Sequence, residues 1–404
     1  MKNNHPFSGI VIRYLPSNHI ENNKHGYQND VMKSTLINET YLDDEIHIDL
    51  CEIENLTPFL DIGIMIGQRK HVAAVVVDIP WNITPEDIND LGHMLNGEKS
   101  VSEIFNEIIH YDGFAEGNFA NISFRRHGVD VNPFSLLRLP PQSFDIKTML
   151  LNDRGVYTRV TINIPFSFYS LNDESVRQSA YIRFRIKNIP PSVYSYKITP
   201  KEIQLSMSYT EQKIYYFQIN TLQKTPKELL NRDYGLYFPK KLTLIKFNII
   251  TQSDNENITT NNHFYRYSPL TSEREGSENT QRRTMLYKRE HNEIKNYFFY
   301  QWMEKKDDED FAKDLVVLGR FSYKKNNYTL LIRFIIFFII SSALGNALWE
   351  ISIEIANSPP NIIDIIKSKS EQLTIFFILE IIIYIDIIIK KIPCILNSIS
   401  FKMR

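Results

Sequence analysis

The sequence predicts an α+β chain: a β-rich soluble N-terminal domain, sandwich- or barrel-like, followed by a C-terminal two-helix transmembrane hairpin. Three observations predict it. Segments with apolar residues at every second position recur between residues 9 and 250, the signature of half-buried antiparallel strands. Two long apolar runs occupy the last quarter of the chain. Finally, 46 Lys+Arg against 47 Asp+Glu, with 43% hydrophobic residues, excludes wholesale disorder and a nucleic-acid-binding polycation, so partners must be read from local patches.

The soluble domain spans residues 1–250. Its N-terminus, MKNNHPFSGIVIRY, has no apolar run of signal-peptide length, so export is not expected. Strands are expected at 9–15, 45–53, 72–79 and 118–125. The clearest, 156–169, sets Val156, Thr158, Val160 and Ile162 against Tyr157, Arg159, Thr161 and Asn163. Residues 181–187 repeat the pattern, with Ile182, Phe184 and Ile186 inward and Arg183, Arg185 and Lys187 outward. Further strands are expected at 202–209, 213–220 and 242–250. A helical region interrupts them: Thr84-Pro85-Glu86-Asp87 reads as a helix start, and Ser100 with Glu103 as a capping box, with Gly97 between the two.

Residues 251–283 read as a polar linker or loop, being rich in serine, threonine and asparagine without an apolar period. Residues 284–328 read as a charged helical connector, with Leu286, Tyr297, Phe298, Trp302 and Phe311 among dense charge. The hairpin with its cytoplasmic tail takes 329–404. Its first span, 329–349, is about 21 residues with Arg333 as its only charge, long enough to cross about 30 Å of hydrocarbon. The second, 373–389, carries Glu380 and Asp386 and ends at Lys390 and Lys391. Pro359-Pro360 places the turn between them. Lys324, Lys325 and Arg333 before and within the first span, with Lys390, Lys391, Lys402 and Arg404 after the second, put both termini in the cytoplasm of a cell inner membrane, multi-pass.

Arg333 and Asp386 lie at similar shallow depths and can pair, and Asp386 also lies one turn from Lys390. Glu380 approaches the midplane and is the candidate membrane-functional residue; hydrogen bonding to Ser341 or Ser342 is the alternative. Ser341 with Gly345 and Ala343 with Ala347 are small residues four apart that let helices approach closely, and Asn346 can hydrogen-bond across such a contact. The bilayer is therefore one expected partner, and a homo-oligomer or partner complex another.

No phosphate loop, nucleophile elbow or metalloprotease helix is present, and no cofactor, metal or enzyme activity is expected. His47, Asp49 and Cys51 share one side of a strand, too few directed ligands for a metal; His127 to Asp130 reads as a turn. Cys51 and Cys394 lie in segments of different character, which fits a reducing compartment. The candidate ligand-binding patch comprises Arg125, Arg126, Arg159, Arg183, Arg185 and Lys187, a surface for a phosphate-bearing ligand or nucleic acid, or ordinary solubilising charge.

A cytoplasmic domain joined to a two-span hairpin with a midplane acid resembles, in outline, the two-span membrane effectors of bacterial anti-phage defence, including those encoded beside retron reverse transcriptases and those of cyclic-nucleotide systems. The resemblance implies a sensor domain that restrains a hairpin until a trigger lets it oligomerise and depolarise the membrane. The alternatives are an anchored binding scaffold and a membrane-bound enzyme of unrecognised type.

Overall fold

The computed structural model of the protein describes residues 5–17, 43–53, 56–114, 118–151, 155–164, 179–199, 208–223, 225–231, 235–252, 255–269, 297–307, 310–326 and 328–357. Two compact units divide the chain, Met1–Ile198 with Gln212–Tyr323, and Thr199–Glu211 with Lys324–Arg404.

The first unit is strand-rich. Across its ten-stranded sheet run β16 (Phe264–Pro269), β17 (Tyr297–Lys305), β14 (Leu242–Gln252), β2 (Asp44–Glu52), β3 (Phe59–Ile66), β11 (Ser179–Ile186), β8 (Val129–Leu137), β7 (Phe119–Arg126) and β6 (Ile109–Phe114), with β5 (Ile88–Asp90) also paired to β11. Pairing is antiparallel except for β14 with β2 and β11 with β8. A four-stranded sheet is ordered β1 (Val11–Pro16), β4 (Val72–Ile79), β10 (Gly155–Asn163), β9 (Phe144–Leu151). Another is ordered β12 (Ser195–Ile198), β13 (Ser208–Ile219), β18 (Leu315–Asn326), β15 (Asn255–Thr260).

Alternation decides what each face meets. Ile46, Ile48 and Leu50 of β2, Ile62 and Ile64 of β3, Ile182 and Phe184 of β11, and Phe247 of β14 share a core with Ile12, Val75, Val77, Val160 and Ile162 of one small sheet and Phe217 and Val317 of the other. The opposite face of the large sheet carries a second apolar cluster in which Met65, Tyr181 and Phe299 meet Phe134, Ile122 and Val101. Val101 belongs to α1 (Glu98–Phe105). Both faces of the central strands are therefore covered, and every residue of β3 and β11 is buried. Two short helices complete the unit, α2 (Pro191–Tyr194) and α3 (Lys227–Asn231).

Several expectations are corrected here. Thr84 to Asp87 forms one 3-10 turn rather than a helix, with the Thr84 N–H donating to Asp87 Oδ2 at 2.9 Å. The chain then enters β5, because Ile88 pairs with Ile186 on β11 and is buried there. Helix α1 starts at Glu98 behind Gly97, so Ser100 lies within its first turn and not at its cap. The segment expected to be a linker supplies the edge strands β15, which is polar, and β16, whose Tyr265 and Tyr267 are exposed; residues 270–283 lie outside the described residues. The segment expected to be a helical connector supplies β17 and β18. In β17, Tyr297 and Phe299 join one core while Tyr300 and Trp302 join the other, which a strand allows and a one-sided helix does not. The strand-rich unit accordingly continues to Tyr323, well past residue 250.

In the second unit the long element is α4 (Tyr328–Asn357), 30 residues, or about 45 Å at 1.5 Å per residue. Within it, Leu330–Glu350 is long and apolar enough to cross a membrane. The expected second span at 373–389, with Glu380 and Asp386, lies outside the described residues, as does the Pro359-Pro360 turn.

Candidate functional site

Two features stand out, one in each unit. In the second unit, α4 leaves its large apolar side chains exposed: Leu331, Ile332, Phe334, Ile335, Ile336, Phe337, Phe338, Ile339 and Leu348. Arg333 lies in its second turn. Ser341, Gly345, Asn346 and Ala347 are all helical, and Asn346 is exposed. Among the described residues, a Cβ added at Gly345 meets nothing within 4 Å, so they leave the helix surface open there.

In the first unit, the face of the large sheet that turns from the main core carries a buried polar network. The period-two pattern brings it together: Glu45, His47 and Asp49 from β2, Asp61 and Gly63 from β3, Tyr181, Arg183 and Arg185 from β11, and Lys246 and Asn248 from β14. Register then sets neighbours, with Asp49 opposite both Asp61 and Asn248, and Arg183 opposite Gly63. Arg183 Nη2 reaches Asp49 Oδ2 at 2.5 Å, and Arg185 grips Asp61 through Nε at 2.7 Å and Nη2 at 3.1 Å. Asn248 Nδ2 donates to the other oxygen of Asp49. Arg185 lies 3.8 Å from the centroid of the Phe59 ring.

His47 Nε2 is 3.0 Å from Glu45 Oε2, and its Nδ1 is 3.5 Å from the Tyr181 hydroxyl, which accepts from Arg183 Nη1 at 3.3 Å. That hydroxyl crosses β3 where Gly63 stands, and a Cβ at Gly63 would lie 1.9 Å from it. Lys246 Nζ donates to the Ile104 carbonyl of α1 at 3.0 Å, and Phe105 packs its ring edge against His47 and Tyr181.

Burial outweighs the nearby guanidinium groups at Asp61 and raises its carboxyl above the ordinary value. Burial, and then the charge of Lys246, lowers the His47 pKa and favours the neutral ring. Burial raises the Asp49 carboxyl, but the Arg183 guanidinium and the Asn248 amide outweigh it and hold the group below its ordinary value. Burial pushes the Tyr181 hydroxyl up to about 12, so it remains protonated at neutral pH. Three acids, Glu45, Asp49 and Asp61, balance the three bases Arg183, Arg185 and Lys246. Such an arrangement fixes strand register and the seat of α1.

The six residues of the expected cationic patch do not share one face. Arg183 and Arg185 were expected outward; they are 1% and 4% exposed, because both faces of β11 are covered. Arg159 reaches Asp78 Oδ1 at 2.7 Å in the β1–β4–β10–β9 sheet, beside Arg13, which reaches Asp78 Oδ2 at 2.5 Å. Arg125 meets Asp130 at 3.1 Å and Arg126 meets Glu107 at 2.7 Å, both at the β7–β8 hairpin end. Lys187 Nζ lies 2.7 Å from the Asn89 side-chain amide. Sequence reading found the bases but missed their acids, Asp49, Asp61 and Asp78, which look like ordinary polar positions until register is known. His47 and Asp49 do lie on one strand face, as expected, and each is engaged within the protein; no metal-binding group of His, Cys, Asp and Glu occurs among the described residues. His127 and Gly128, with φ of 52° and 79°, form the expected turn.

No family model matches the chain, and no curated protein matches it.

Proposed function

We propose that this chain is a membrane protein in which α4 crosses the bilayer and the strand-rich unit works in water. The observation that carries this is the exposure of Leu330–Glu350, a 21-residue, predominantly apolar stretch of helix with none of it buried among the described residues. Each large apolar side chain left in water forgoes about 1.5–3 kcal/mol. About nine such side chains on one helix make lipid the fitting solvent.

For its activity we propose the effector role that the sequence resembles: copies associate through the Ser341, Gly345 and Ala347 surface and depolarise the membrane in an anti-phage response, under control of the strand-rich unit. The open helix surface at Gly345 supports close approach of another helix. Glu380, assigned from sequence alone, is the residue this reading places in the pathway. A second reading, an anchored binding scaffold, is favoured by the buried polar network that joins β2, β3, β11 and β14.

Expression of the full chain, and of a chain ended before Thr329, with a voltage-sensitive dye and alkaline extraction of membranes, tests both. The effector reading expects depolarisation that needs residues 329–404. Extraction-resistant protein with an unchanged potential would favour the scaffold. Recovery of the full chain in the soluble fraction would overturn membrane insertion itself.

A further inference from the structure

Charge is distributed along the second unit in a way that an apolar run alone does not require. Lys324 is exposed near the end of β18, and Lys325 follows it in sequence. Tyr328, 66% exposed, opens α4. Arg333 is the only charged residue between 330 and 349. Trp349, 68% exposed, closes the run, and the acids Glu350 and Glu354 follow.

These positions have a length scale. Tyr328 and Trp349 are about 21 residues apart, or ~31 Å along a helix, which matches the ~30 Å hydrocarbon core. Amphipathic aromatic rings favour the two water–lipid interfaces, so this pair fits one at each. Arg333 is about five residues, ~7.5 Å, inside Tyr328. A side chain of that length can return its guanidinium to the headgroup layer while its stem stays in hydrocarbon.

The helix thus has a cationic end and an acidic end. We propose that the Lys324 end docks on an anionic lipid surface: Lys324 and Arg333, with Lys325 beside them in the sequence, meet lipid phosphates, and Tyr328 seats at the same interface. Glu350 and Glu354 repel such a surface, so the opposite end meets the less charged leaflet. Headgroup sign then sets the direction of insertion as well as its strength. This rests on the membrane reading of α4, and the test separates the two.

The full chain, purified in detergent, is mixed with vesicles of pure phosphatidylcholine and with vesicles in which phosphatidylglycerol replaces part of it. Resistance to alkaline extraction reports insertion; a titration of lipid at low and high salt reports affinity. The expected result is insertion into both, with tighter binding to the anionic vesicles that fades as salt shortens the screening length from about 10 Å at 0.1 M to about 3 Å at 1 M. Lys324→Gln combined with Lys325→Gln is expected to weaken anionic binding roughly fivefold per lysine, the factor equal to about 1 kcal/mol per cation, and to leave binding to neutral vesicles unchanged. Lys324→Arg with Lys325→Arg should restore it. Equal affinity for both vesicle types, or a preference that salt does not reduce, would overturn the proposal while leaving insertion standing. Failure to insert into either vesicle would overturn both.

Discussion

Arg183 sits 1% exposed with Asp49 at 2.5 Å and Asp61 at 3.9 Å, so its charge is stabilising only while those acids are present. Removing one partner of a buried pair leaves the other uncompensated, at about 3–5 kcal/mol. Arg183→Met is therefore expected to lower the free energy of unfolding by that amount, measured by urea denaturation of the full chain in detergent. Arg183→Met combined with Asp49→Leu should recover a large part of the loss, since apolar side chains in place of a buried pair are often neutral. If the double variant is as unstable as the sum of the singles, the two groups are not coupled. A second residue acts in the opposite sense. Asp44 accepts from the Gly67 N–H at 2.9 Å and the Tyr14 hydroxyl at 3.3 Å, and burial pushes its carboxyl from 3.8 up to about 6. A raised folded value means that the fold favours the protonated acid, so stability falls as pH rises from about 4 through about 6. A shift of that size is worth about 3 kcal/mol. Asp44→Asn keeps an acceptor oxygen and cannot ionise. Its stability relative to the parent should rise by about that amount between pH 4 and pH 7, and a difference that does not change with pH would remove the effect from Asp44.

At the scale of elements, strands buried on both faces were read unevenly from the sequence. Val72–Ile79 is found where expected, β1, β2, β7 and β14 lie within a few residues of expectation, and β10 covers the first part of the strand expected at 156–169, of which 165–169 lies outside the described residues. In β10, Val160 and Ile162 are buried while Arg159, Thr161 and Asn163 are not, so the period is visible; β11 is buried on both faces but still alternates apolar with basic residues. β3 reads FLDIGIMI with every residue buried; an apolar run covered on both faces carries no period-two signal. β17 and β18 were hidden differently, because aromatic residues amid dense charge suit a helix by composition and only pairing with β14 and β15 reveals the strands. Of the features expected, the apolar stretch of α4 that carries Ser341, Gly345, Asn346 and Ala347 was legible from local pattern. The pairing of Arg159, Arg183 and Arg185 was not, since Asp78, Asp49 and Asp61 lie far away in sequence and meet them only through register. Gly63 shows the same limit: its need for no side chain comes from Tyr181, more than a hundred positions later.

At the scale of the whole molecule, the three tryptophans differ in exposure, and the proposed membrane reading puts them in two solvents. Trp81 and Trp302 are buried in the strand-rich unit, 3% and 0% exposed, while Trp349 is exposed near the end of the apolar stretch of α4. A buried indole is insulated from added lipid, and one at a membrane interface is not. Reconstitution into vesicles should therefore change the emission of Trp349 alone. Lipids brominated near the headgroup should quench about a third of the tryptophans, and lipids brominated at the chain ends should quench less, because the proposed insertion of α4 puts this indole at the rim of the hydrocarbon. Trp349→Phe should abolish that quenching and keep the remaining emission, since Trp81 and Trp302 lie in cores that do not include α4. Quenching that survives Trp349→Phe would place lipid against the strand-rich unit and overturn the division of the chain into one part in water and one in the bilayer. Quenching strongest at the chain ends would leave α4 in lipid but put Trp349 at the midplane, and the helix would then lie too deep for Tyr328 to reach an interface.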